Sequence, residues 1–158
     1  MLLPALVTVL IQGAAPSPAS AAPPAIVGVW ETRRMNAKPL PFTDIVKDAD
    51  GTTHAVRLIE MIIRVRKDGR FVATLKYQRT VNRTGARVEN EPLLKDTWAG
   101  PWTLDGTRIT FRPEKNKGRA VRPFQGTFAN GRIAVPFDYD IVVRKTYQLD
   151  LIRNDLIL

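Results

Sequence analysis

A single histidine, His54, and the absence of cysteine bound the chemistry open to this chain. Without a thiol there is no Cys–His pair, no thiolate nucleophile and no cysteine-based zinc site, and any Ser–His–Asp arrangement would have to use His54 itself. His54 falls where a polar loop meets an apolar run, which suits a structural or solvated role better than a catalytic one. The carboxylates offer one pattern, Asp48-x-Asp50-Gly51. Counted from Asp48, glycine comes fourth and Ile59 twelfth, whereas an EF-hand loop needs glycine sixth and glutamate twelfth. The pattern therefore reads as a turn, which Asp-Gly favours. Glu60 stands between Leu58 and Ile62 on one strand face. Buried, it would need a partner or a raised pKa; facing outward, it would be solvated or paired with an arginine. Glu31, beside Trp30, has the same two readings. Neither a catalytic constellation nor a metal site emerges, and nothing in the pattern calls for a cofactor.

Charge is the second chemical feature. Lys and Arg number 24 against 15 Asp and Glu, a formal net charge of +9, and none of these residues lies before Glu31. A positive field concentrates anionic partners, such as acidic small molecules or lipid headgroups, although it also serves plain solubility. Eight basic residues cluster in the expected loops and strand ends of one side: Arg79, Arg83, Arg87, Arg112, Lys115, Lys117, Arg119 and Arg122.

Met1 to Ile11 is an apolar run followed by a small-residue and proline-rich stretch with Ala19-Ser20-Ala21, an A-x-A-like cleavage pattern. Residues 1–21 are accordingly expected to be a signal peptide and residues 22–25 a leader remnant. A barrel domain is expected over 26–153 and a tail over 154–158. The apolar run is too short to span a bilayer, so a soluble exported product, periplasmic or extracellular, is expected.

The elements that must position these residues read as strands. Twelve Pro and ten Gly are spread through 158 residues, and no long stretch carries a helical apolar period. Ile26 to Met35 opens the series, with Ile26, Gly28 and Trp30 on one face. Asn36 to Thr53 reads as a long loop that holds room for a short extra strand at Phe42 to Lys47. His54 to Arg66 is apolar on both faces. Arg70 to Thr80 alternates, with Phe71, Ala73, Leu75 and Tyr77 on one side. Leu93 to Leu104 carries Trp98 and Trp102 and is expected to bend at Gly100-Pro101. Asp105-Gly106 and Asn130-Gly131 are hairpin signals of the type I′ kind. They frame strands at Thr107 to Arg112, Ala120 to Ala129 and Arg132 to Asp138, and Ile141 to Arg153 closes the series.

Eight strands joined in sequence make an all-β, antiparallel up-and-down barrel. Its tight turns fall at one end, at Lys67-Asp68-Gly69, Asp105-Gly106 and Asn130-Gly131. The mostly longer connections fall at the other end and form a loop-rimmed mouth.

With Gly28-Val29-Trp30 opening the first strand, a long first connection and a meander of seven further strands, the chain resembles the lipocalin and wider calycin group of small β-barrels. It is shorter than typical members and has no cysteine for their usual disulfide, so it is similar to a shortened bacterial variant. The resemblance implies an up-and-down barrel that binds small apolar molecules inside. It also implies a floor in which the Gly-x-Trp tryptophan packs under a basic residue of the last strand, here Gly28, Trp30 and Arg153, with the guanidinium stacked on the indole. The interior candidates are Met61, Phe71, Leu75, Tyr77, Ile109, Phe111, Phe137, Tyr147 and Leu149. They either fill a narrow barrel or line an apolar cavity in which two phenols orient the ligand.

Two functions follow from this reading. The first is carriage of a small apolar or anionic amphipathic molecule, its anionic end met by Arg83, Arg87, Lys115, Lys117 and Arg119 at the mouth. The second is a filled, non-enzymatic interaction module for an anionic membrane surface or a protein partner. Nucleic acid ranks behind both, because the export signal argues against it even though basic strands with aromatics suit base stacking.

Overall fold

A computed structural model describes residues 25–83, 88–114, 122–140 and 144–156. The expected signal peptide lies outside them, as do Arg87, Lys115, Lys117 and Arg119. The described elements are all strands: β1 (Gly28–Met35), β2 (Lys38–Pro39), β3 (Phe42–Lys47), β4 (Thr53–Val65), β5 (Arg70–Asn82), β6 (Glu89–Asn90), β7 (Leu94–Asp105), β8 (Arg108–Phe111), β9 (Phe124–Ala129), β10 (Arg132–Asp140) and β11 (Arg144–Arg153).

Eight of them, β1, β4, β5, β7, β8, β9, β10 and β11, pair antiparallel in chain order, and β1 pairs with both β11 and β4 to close the ring. The all-β up-and-down barrel expected from alternation is therefore present. Closure leaves no barrel edge unpaired over those registers. Inward residues follow the period of two along the strands, broken on β4 by the bulge between Leu58 and Glu60. Val56, Leu58, Met61 and Ile63 on β4 and Phe71, Ala73 and Leu75 on β5 are all buried, and so are Ile133, Val135 and Phe137 on β10 and Leu149 and Leu151 on β11.

The long first connection is more structured than a loop. β1 turns at Asn36 and Ala37, both with positive φ (53° and 62°), into a two-residue hairpin with β2. That pair of dihedrals is what a type I′ turn needs. Asn36 is then tied to the last strand through its Oδ1, which accepts the Gln148 N–H at 2.8 Å. Phe42–Lys47 does form the extra strand, β3, and it lies along the first half of β4, from Phe42↔Leu58 to Lys47↔Thr53. β1 holds the second half of the same edge, from Glu31↔Ile62 to Gly28↔Val65. One wall position is thus shared by two strands, β1 below and β3 above.

Three further details differ from the sequence reading. The hairpin between β7 and β8 turns on Gly106-Thr107, between Asp105 and Arg108, one residue later than Asp-Gly suggests. Gly106 at φ 58° occupies its first central position, as a type II′ turn requires. The polar stretch after β5 holds β6, whose Glu89 and Asn90 pair with Val81 and Thr80. At Gly100 the strand is crowded from outside, because the chain past β8 runs back along β7, with Arg112 N–H on the Pro101 carbonyl (3.0 Å) and Glu114 N–H on that of Ala99 (2.8 Å). A Cβ on Gly100 would stand 2.0 Å from the Arg112 carbonyl oxygen.

Candidate functional site

The closed end is built by the first and last strands. Trp30 is buried, its Nε1–H donates to the Ile26 carbonyl at 2.8 Å, and its ring meets Phe128 edge-on at 5.6 Å. Arg153 stands opposite Trp30 in the register, but the expected cation–π stack is replaced by another contact. Its guanidinium lies across Gly28, where a Cβ would meet Nε at 3.4 Å, and donates to the Ala25 carbonyl at 3.1 Å and to Asp155 at 2.7 Å. Those acceptors fix the fork over the backbone of the Gly-x-Trp segment. Among the described residues the cation–π contacts are instead those of Lys38 on Phe42 and Lys145 on Tyr147.

Above the floor a run of rings lies inside the barrel. Phe71 meets Phe111 at 4.9 Å, Phe111 meets Phe124 at 5.0 Å, Phe124 meets Phe137 at 5.3 Å, and Phe137 meets Trp98 at 5.4 Å. The inward candidates Met61, Phe71, Leu75, Ile109, Phe111, Phe137 and Leu149 all belong to this continuous core. Three of these contacts are edge-to-face and the Phe111–Phe124 pair is tilted, so the rings form one connected aromatic cluster on the inner wall.

The upper end is chemically different. Residues opposite one another in an antiparallel pair share a face, so the register carries the inward side of β4 onto its neighbours. Asp44 of β3 and Arg79 of β5 both lie opposite Val56, and Asp96 of β7 lies opposite Leu75. Polar side chains thus continue the inward face just above the rings. Tyr77 donates its hydroxyl to Asp96 at 3.1 Å. Tyr147 donates to Asp44 at 3.4 Å, and Lys145 reaches the same Asp44 oxygen at 2.6 Å. Asp44 and Lys145 so tie β3 to β11 across the upper wall that β1 has left. Burial foremost, then the charge and hydrogen bond of Asp44, push the Tyr147 hydroxyl above its ordinary pKa of 10. Tyr147 therefore stays a neutral donor throughout the physiological range.

His54 completes this rim. It is 6% exposed, its Nε2 is 2.9 Å from Asp48 Oδ2, and its Nδ1 is buried with no partner among the described residues. Asp48 is held by the turn itself, since its Oδ1 accepts the Thr52 N–H at 3.0 Å while Asp50 Oδ1 accepts the same N–H at 2.7 Å. Hydrogen bonding at Asp48 foremost, then at Thr52, holds Asp50 low, at about 2. Asp48-x-Asp50-Gly51 is thus a turn whose first acid positions the histidine. Glu60 is on the outer face with Lys76 at 2.6 Å, a lysine where an arginine was expected. Among the described mouth-side bases, Arg79 makes a two-point pair with Glu91, Arg83 approaches Glu89 at 3.5 Å and Arg112 donates to Thr103 at 3.4 Å.

Sequence reasoning placed the two tyrosines on inward faces. It missed their acids, because Asp44 and Asp96 sit in strands whose inward side is fixed by pairing rather than by a clean apolar alternation. The signal available was Asp44 two residues from Phe42 and Val46, and Asp96 two residues from Leu94 and Trp98. Searches against protein-family models, curated proteins and solved structures found no match for the chain.

Proposed function

We propose that this chain is an exported, lipocalin-like and non-enzymatic binding protein that takes a small amphipathic molecule at the loop-rimmed end of its barrel. One observation carries the reading: two inward-side tyrosine hydroxyls, each hydrogen-bonded to an aspartate, stand beside the aromatic cluster, Tyr147 opposite Phe137 in the register. An apolar body rests on such rings while a polar group exchanges hydrogen bonds with the phenols, a group type that both donates and accepts. The contacts are those of Leu75, Tyr77, Phe137 and Tyr147, whereas Phe71, Ile109 and Phe111 serve as filler beneath. The excess of basic residues favours an anionic head.

Titration with a dansyl-labelled undecanoate tests this. Saturable fluorescence enhancement is expected, weakened about tenfold in a Tyr77→Phe/Tyr147→Phe variant, which removes two hydrogen bonds, and weakened again in Lys115→Glu/Lys117→Glu. Absence of saturable binding by the parent protein ends the carrier reading.

The excess of basic residues also favours the second reading, a basic interaction module for an anionic surface. It predicts a clean apo mass in native mass spectrometry together with salt-sensitive binding to vesicles containing phosphatidylglycerol. A co-purifying small molecule favours the carrier.

A further inference from the structure

The wall position shared by β1 and β3 leaves a notch. β1 pairs with β4 only as far as Glu31↔Ile62, and β3 takes over only from Phe42↔Leu58. Between them the β4 backbone at Ile59, Glu60 and Met61 has no strand partner on that side among the described residues. Each flank of the gap carries a bulge. The register slips between Leu58 and Glu60 on β4, and between Thr32 and Arg34 on β1. Bulges re-aim side chains and end pairing, and they recur beside binding sites. Here they open a groove of about 610 Å³ on the side of the barrel, within the range of small-ligand pockets.

The groove is chemically two-sided. Leu40, Pro41, Ile59 and Ile152 give it an apolar wall. Arg33 and Arg34, brought to the same rim by the β1 bulge, give it a cationic one, and neither forms an ion pair among the described residues. Both carboxylates at the rim are already engaged, Glu60 by Lys76 at 2.6 Å and Glu31 by the Asn154 amide at 3.1 Å. Thr32 also lines the groove. It is 3% exposed, and its hydroxyl has no hydrogen-bond partner among the described residues. A buried polar group without a partner costs about 1–3 kcal/mol, and a ligand oxygen would supply what the fold does not.

We propose that this lateral notch binds a small organic carboxylate with a short branched aliphatic body, at a site separate from the barrel mouth. The carboxylate meets the guanidinium forks of Arg33 and Arg34, whose planar donors match its two oxygens. The Thr32 hydroxyl completes the polar end, and the aliphatic body covers Leu40, Pro41 and Ile59.

The test is an amide NMR titration of the folded protein with sodium 3-methylbutanoate, 3-methylbutanamide and inorganic phosphate at matched ionic strength. The carboxylate is expected to give saturable shifts at Thr32, Arg33, Arg34 and Ile59, with the neutral amide and phosphate each weaker by about tenfold or more. Arg33→Gln/Arg34→Gln should weaken the carboxylate by at least about tenfold while leaving the remaining spectrum in place, since both side chains are exposed. Thr32→Val keeps the shape and should weaken it by a smaller factor. Tyr77→Phe/Tyr147→Phe should leave the titration unchanged, so failure here and failure at the mouth are read separately. The proposal is overturned by any of three results: no saturable shift by about 20 mM, equal binding of the amide or of phosphate, or shifts confined to the Tyr77 and Tyr147 end.

Discussion

Tyr147 shows how one residue's surroundings set a measurable property of the fold. Its hydroxyl is buried beside the Asp44 carboxylate and donates to it, so the folded protein favours the neutral phenol and raises its pKa above the ordinary value of 10. A proton held more tightly in the folded state stabilises that state wherever the unfolded chain would release it. The contribution is therefore complete below about pH 10 and is lost as pH climbs from there toward the raised folded value. Denaturant melts at pH 8 and pH 11 should show the parent losing more stability than Tyr147→Phe over that interval. Equal losses in the two proteins would mean that Tyr147 ionises as a free tyrosine does. Sequence alternation is enough to place Tyr147 inward. The shift is not legible there, because it comes from burial in the folded barrel and, after that, from an aspartate more than a hundred positions away, brought close by β3.

At the scale of elements, the readable part of the chain is the part that obeys a period of two without interruption. β5 and β10 were evident from Phe71, Ala73 and Leu75 and from Ile133, Val135 and Phe137, and the Asn130-Gly131 hairpin from its turn chemistry. What escaped is where one strand's neighbour changes. The handover of the β4 edge from β3 to β1, and the bulges at Thr32/Arg34 and Leu58/Glu60, insert a residue into one strand without altering its composition. No local pattern records such an insertion; the adjacent charges of Arg33 and Arg34 inside an otherwise alternating strand were the only trace. Gly100 marks another such place, where the chain beyond β8 is drawn across β7. Gly100→Ala forces a methyl group against the Arg112 carbonyl at 2.0 Å. The backbone must yield, at a cost of about 1–3 kcal/mol typical of overpacking. Hydrogen exchange should then accelerate at Arg112 and Glu114, the two amides that hold this extension, more than at β10. Protection unchanged at both would place the crowding elsewhere.

The whole molecule depends on a closure between its two sequence ends, since β1 meets β11 through Trp30↔Arg153 and Met35↔Leu149. Such pairing orders most of the chain before it gains the contact, a feature of slow but cooperative β-barrel folding. Trp30 is the bulky side chain at that seam: fully buried, bonded to Ile26 and packed against Phe128 of β9. Arg153 braces the seam from outside through Gly28 and Ala25. Removing the indole in Trp30→Ala leaves a large cavity and should cost about 3–5 kcal/mol, a large part of the roughly 5–15 kcal/mol available to a domain. Because the seam joins first and last strands, the loss should be felt at the far end as well. Trp98 lies beside Phe137, and in a Trp102→Phe background it is the one tryptophan that the variant keeps, so its fluorescence reports on that end. A melt followed by Trp98 emission and one followed by far-ultraviolet dichroism should move down together in the variant. If the dichroism midpoint fell while the Trp98 transition stayed in place, the two ends would be separate cooperative units, and the tryptophan floor would not hold the upper end in shape.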